Sequence, residues 1–320
     1  MNTQLSPIIK KTFSETVQLT GHKSELYTGK FSKDGELYAT AGTDRDINIW
    51  QTFHPQMKNI SLFQSAHGNS ILELCWGESN EHLYSCSVDK TIKKWDIYES
   101  KQERKFKDHK GFINSIDVYN DNIIASVGDD GDLILNDTRA KKIITQYKFN
   151  YPLTSVKFTL SGDEIFIGGI DNQIKKFVIK SNTIDINSSL IGHTDTVTGI
   201  SISHSGNFLL SNSMDNSLCI WDIRPYVKGG NRLMKILRGN VHNFEKNLLR
   251  CAWSNDDNFV SCGSADRCVH IWEVDSGNIV NNLYGHNGSV NEVDFNYGNN
   301  DIIASVSSDH TAIIGKFNIV

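Results

Sequence analysis

A chain of 320 residues, 38% hydrophobic and 10% aromatic, has the length for one large or two ordinary domains and the apolar content to pack them. A net charge of −5 gives no support to a general nucleic-acid binder, four prolines argue against disordered linkers, and no apolar run reaches the length of a membrane span. The opening MNTQLSPIIKK has neither the apolar stretch nor the cleavage site of a secretory signal, so an intracellular protein is expected, its six cysteines buried as free thiols because none falls in a CxxC pair.

The first predicted element is an arm, Phe13 to Thr20, that alternates as a strand. From His22 onward the chain repeats itself. Copy one runs to Asn59, where Pro55 interrupts the connection that follows Trp50. Copy two ends in KQERKFKDHK, read as a solvated outer strand. Copies three and four are degenerate, with Asn136 and Phe177 at the position that holds Trp50 and Trp95 in the first two. Copy five, GHTDTVTGISISHSGNFLLSNSMDNSLCIWD from Gly192 to Asp222, is the clearest, with three strands around Val197 to Ser203, Phe208 to Asn212 and Ser217 to Trp221; Pro225 and the Gly229-Gly230 pair then mark a loop. Copy six carries two extra residues, since His242 and Leu248 are six apart where His193 and Val197 are four apart. Copy seven stops at Val320 just after its third strand, which leaves a place for the arm to pair as its outer strand.

One spacing identifies all seven copies: an Asp in a turn, then a fixed position six residues on. Asp44, Asp89, Asp130, Asp171, Asp215, Asp266 and Asp309 are separated by 45, 41, 41, 44, 51 and 43 residues, the period of propeller blades built from four strands each. Some 21 to 24 positions upstream stand His22, His67, His109, His193, His242 and His286, with Asn150 in copy four; four positions upstream stand Thr40, Ser85, Ser126, Ser211 and Ser305, but Ile167 and Cys262 in copies four and six. A recurring Ser, His and Asp has the composition of a hydrolase triad. A triad occurs once, however, and this set recurs with the architecture, so a structural network is expected and no enzyme. The His residues lie some forty positions apart without short-range ligand partners, so no metal and no cofactor are expected.

These features resemble the WD-repeat family over nearly the whole length. The resemblance implies an all-β, seven-bladed propeller, a single domain of residues 1–320 whose arm, residues 1–20, closes the ring by pairing with the last blade. It also implies a network within each blade from indole N–H to hydroxyl, hydroxyl to imidazole and imidazole to carboxylate. The residues assigned to it are His22, Thr40, Asp44 and Trp50; His67, Ser85, Asp89 and Trp95; His193, Ser211, Asp215 and Trp221; His242, Asp266 and Trp272; and His286, Ser305 and Asp309.

Other strings are not generic: GGIDN at Gly168 to Asn172, LLSNSMDNS at Leu209 to Ser217, GNVHNFEKNLLRCAWS at Gly239 to Ser254, GSADR at Gly263 to Arg267 and SVNEVDF at Ser289 to Phe295. Together they resemble the 40-kDa WD-repeat proteins of the spliceosomal U5 particle. That resemblance implies a nuclear, non-catalytic scaffold of the U5 snRNP and the tri-snRNP that contacts the large U5 core protein and other spliceosomal proteins. RNA contact would be indirect or minor, with no membrane and no small-molecule substrate. The alternative is a substrate receptor of a cullin-type ubiquitin ligase, suggested by WDIR at Trp221 to Arg224 and by the half match NDTR at Asn136 to Arg139, which do not lie in adjacent copies. For the partner, the insertion in copy six is expected to gather His242, Asn243, Phe244, Glu245 and Lys246 on one face with Met214, Ala265 and Arg267, and Phe244 is the expected anchor.

Overall fold

Short apolar runs between tight turns cannot bury themselves as single hairpins, and the chain solves this by stacking sheets around an axis. The computed structural model describes residues 16–53, 58–140, 142–180, 183–227, 230–299 and 301–317. Among them no helix forms, and seven four-stranded antiparallel sheets make the blades of a propeller. In blade five the strands are Val197–Ile202, Phe208–Ser213, Ser217–Asp222 and Leu233–Arg238, ordered from the central channel outward. The basic run of copy two is an outer strand, Lys101–Phe106, exposed except for the half-buried Arg104, which donates to the carbonyls of Thr138 and Ala140, and the buried Phe106.

The repeating Asp makes the turn. In all seven blades the next residue has positive φ: Arg45, Lys90, Gly131, Asn172, Asn216, Arg267 and His310 lie between 60° and 74°. Oδ1 of the Asp accepts the backbone N–H two residues on in six blades, as when Asp215 takes the N–H of Ser217 at 3.0 Å. Asp and Asn are favoured in such turns because the short side chain replaces a backbone acceptor.

The cores lie between blades rather than within them. Ala39, Ile47 and Ile49 of blade one pack on Ile71, Leu74 and Trp76 of blade two, and Leu210, Leu218 and Ile220 of blade five on Cys251, Trp253 and Val260 of blade six. All six cysteines are buried free thiols.

The ring closes where the chain's two ends meet. Val17–Leu19 pairs with Ala312–Lys316 in the register Val17↔Ile314, Gln18↔Ile313 and Leu19↔Ala312, completing blade seven. Leu19 is buried with Phe31, Tyr38, Ile302, Val306 and Ile314, so the closure joins blades one and seven in one core. The arm is a shorter strand than its alternation predicts, three residues long, and Phe13 lies outside the described residues, as do Pro55 and Gly229.

Candidate interaction surface

Three blades contain the complete four-residue network. In blade five His193 donates from Nδ1 to Asp215 Oδ2 at 3.0 Å and accepts at Nε2 from the Ser211 hydroxyl at 2.7 Å, and Ser211 Oγ accepts the Trp221 indole N–H at 2.8 Å. Blade two repeats this through His67, Asp89, Ser85 and Trp95 at 3.0, 2.7 and 2.8 Å, and blade one through His22, Asp44, Thr40 and Trp50 at 2.7, 2.8 and 2.9 Å. Burial alone would raise the Asp215 carboxyl, but bonds from His193, the Ser217 hydroxyl and the Thr194 N–H hold it far below the usual carboxylate range. Each Asp therefore builds its turn with one oxygen and orients its His with the other.

The remaining blades keep parts of the set. Blade seven has His286 on Asp309 and Ser305 but no indole, and a side chain at Gly315 would collide with Thr16 of the arm. Blade three has His109 between Asp130 and Ser126, while Asn136 turns to Asp108 at 2.9 Å. Blade four replaces the network with rings: Phe177 is fully buried against Tyr147 and Phe149, and the Tyr151 hydroxyl takes the place of a His on Asp171 at 2.8 Å.

Blade six corrects the expectation for His242. Its ring does not reach Asp266, and Nε2 is buried without a partner. His270 lies there instead, with Nε2 2.9 Å from Asp266 Oδ2 and Nδ1 2.6 Å from Asn282, and Trp272 donates to the Arg238 carbonyl at 3.3 Å. The physical reason is visible in the chain: Cys262 offers no strong hydroxyl bond, and the two-residue insertion carries His242 toward blade five, where its N–H bonds Asn216 Oδ1 at 2.6 Å.

Around the channel the innermost strands are sheet edges whose N–H groups need acceptors, and blades one, two, three and seven each supply one to the next. Leu74 N–H donates to Thr28 Oγ1, Ile116 N–H to Glu73 Oε2, Val156 N–H to Ser115 Oγ and Gly29 N–H to Glu292 Oε2, all within 2.8–3.1 Å. Gly199 and Arg250 at the matching positions of blades five and six have no acceptor to give. Arg250 instead crosses the channel, donating from Nη1 to the carbonyls of Thr154 at 3.0 Å and Thr198 at 2.8 Å and from Nη2 to that of Asn114 at 2.5 Å, with Glu73 at 4.0 Å. His82, Asp96 and Glu103, the one grouping of metal-ligand type among the described residues, is an ion-pair cluster in which Lys94 reaches Glu103 at 2.7 Å.

At the mouth of the channel on the side of the Asp turns lies a pocket of about 520 Å³. Of the residues expected on this face, Met214, His242, Asn243 and Lys246 line it. The insertion is anchored at both ends, by the Ala265 N–H on the Val241 carbonyl at 2.8 Å and by Ser289, which bonds Asn243 and Glu245. Phe244 projects from it 90% exposed, so it is not folded onto its own blade, and Arg267 is exposed on the neighbouring turn. Burial holds the His242 imidazole down at about 4 against the pull of Asp215 and Asp195, so it is neutral near pH 7.

The sequence pattern of the WD domain, G-beta repeat, matches residues 13–51, 58–96, 185–222, 232–273 and 277–314, leaving out most of blades three and four. Over 94% of this chain, the pre-mRNA-splicing factor cwf17 of Schizosaccharomyces pombe is 37% identical, with 87% of that protein covered. The U5 small nuclear ribonucleoprotein 40 kDa proteins of Dictyostelium discoideum and Homo sapiens are 40% and 39% identical over 94% and 93% of the chain, covering 84% and 82% of theirs. The chain belongs to the U5 40 kDa family of WD-repeat proteins. In this U5 40 kDa family member the blade networks are framework.

The network has a measurable signature. Asp215→Ala and Ser211→Ala are each expected to lower stability by about 1–3 kcal/mol, because each leaves a buried partner unmet. Chemical denaturation of the double variant should give less than the sum of the singles, as members of one network do; full additivity would separate them.

Proposed function

We propose that this protein is a non-catalytic interaction scaffold of the pre-mRNA splicing machinery, held in the U5 snRNP and tri-snRNP through the large U5 core protein and acting in the nucleus. The observation that carries the reading is the extent of its similarity to the U5 40 kDa proteins, which takes in nearly the whole ring rather than a stretch of generic repeat. The repeated Ser, His and Asp are consumed in holding blades together, and the surface left over is suited to binding: an exposed aromatic on an anchored loop beside Met214, with Glu245, Lys246 and Arg267 around it. The splicing relatives lend no support to the ligase-receptor reading, and Arg224 and Arg139 are each paired with an Asp of their own strand end, Asp222 and Asp137.

The test is a pull-down. Phe244→Ala and Lys246→Glu are expected to melt as the parent protein does, since neither side chain is buried, yet to recover the large U5 core protein and U5 RNA at a small fraction of the parent level. Parental recovery from both variants would remove this face as the docking site, and absence of U5 components from the parent's own pull-down would remove the function.

A further inference from the structure

We propose that the pocket at the channel mouth receives the cationic side chain, lysine or arginine, of an extended protein segment, and that this side chain lies between Asp129 and Asp195. The proposal rests on the reading of this face as the docking face and adds the chemistry of what docks there.

Pro152 and Ile170 of blade four and Met214 of blade five give the pocket an apolar stretch among polar groups, and two carboxylates line it as well, Asp129 from blade three and Asp195 from blade five. Each is fixed through one oxygen: Asp129 Oδ1 accepts from Asn114 Nδ2 at 2.7 Å, and Asp195 Oδ1 accepts the Thr196 N–H at 2.7 Å. Among the described residues neither meets a cation within ion-pair distance. Their neighbours are committed: Asp130 to His109, Asp171 to Lys175 and Tyr151, and Asp215 to His193. Two oriented, unpaired carboxylates at an apolar pocket attract a cation that brings its own methylenes, which lie along the apolar wall while the charged end meets the acids. His242 adds a buried Nε2 that has no hydrogen-bond partner among the described residues.

Positive charge elsewhere limits where the cation sits. Lys246 lines the pocket from blade six, and Arg250 occupies the channel, bonded to the Asn114, Thr154 and Thr198 carbonyls. The incoming group therefore stays at the mouth and does not descend the channel. The exposed rim, with Ile170 47% and Val241 43% accessible besides Phe244, suits large apolar residues on either side of the cation.

The test places the photo-crosslinking residue p-benzoyl-L-phenylalanine at position 170 of the full chain, illuminates the assembled particle in nuclear extract and sequences the captured peptide. A lysine or arginine within about three residues of the crosslinked atom is expected, because an extended chain advances about 3.3 Å per residue. Capture of RNA, capture of a segment without a basic residue, or no capture overturns the proposal. In parallel, Asp129→Asn with Asp195→Asn keeps both anchoring hydrogen bonds and removes both charges. This double variant should melt as the parent does and recover the core protein about ten- to hundred-fold less well. If Phe244→Ala abolishes recovery while the double Asn variant does not, the face stands and the cation is wrong; if both recover normally, the docking face itself has failed.

Discussion

Arg250→Ala should lower the melting temperature by on the order of 10 °C, the largest effect of any single side chain here. Arg250 is 5% exposed and its guanidinium satisfies carbonyls from three blades, none of them its own. Truncation leaves those three buried acceptors without their donor and takes away the positive charge 4.0 Å from Glu73, and breaking a buried charged contact in this way costs about 3–5 kcal/mol. Arg250→Lys should recover only a minor part, since one ammonium cannot present the planar fork that spans separate carbonyls. Calorimetry of the two variants decides it. An Ala variant that melts within about 1 °C of the parent would mean the crossing contacts contribute nothing, and that blades three to six are held by their apolar cores alone.

Removing residues 1–20 should abolish the single cooperative transition. Val17–Leu19 supplies the outer strand of blade seven, and Leu19 belongs to the core that joins blades one and seven. Without it the edge at Ala312–Lys316 loses its partner and becomes a template for other chains. The expected result is broad, early unfolding with aggregation, seen by circular dichroism and light scattering. A truncated protein that unfolds as sharply and at the same temperature as the whole would refute this closure.

Much of this architecture could be read before any coordinates because the Asp of each copy has to do two things at once. It must hold a left-handed turn and orient an imidazole, or in copy four a tyrosine hydroxyl, so neither its identity nor its distance to the next strand can drift, and the period stays visible even in copies three and four. The arm was legible for a complementary reason, since copy seven has no outer strand of its own. His242 was misassigned because spacing along the chain cannot report that a two-residue insertion swings a side chain to the neighbouring blade, or that His270, four residues after Asp266, can reach the carboxylate from the next strand. A charge inside the apolar run LLRCAW was the only signal for Arg250, whose partners lie 52, 96 and 136 residues away in sequence. The pocket was equally hidden, since Asp129 and Asp195 come to line one pocket only through the curvature of the ring.

The pairing of Leu19 with Ala312 also sets an order of events on the ribosome. The closing strand is the first among the described residues and the last to find its partner, since about 290 residues intervene; at about 5–20 residues per second it waits roughly 15 to 60 s. Throughout that interval six blades can assemble in succession, each against its predecessor, while the first blade presents an uncovered side. Emergence of the Ala312–Lys316 strand, rather than formation of any earlier blade, is therefore the step that allows the ring to close.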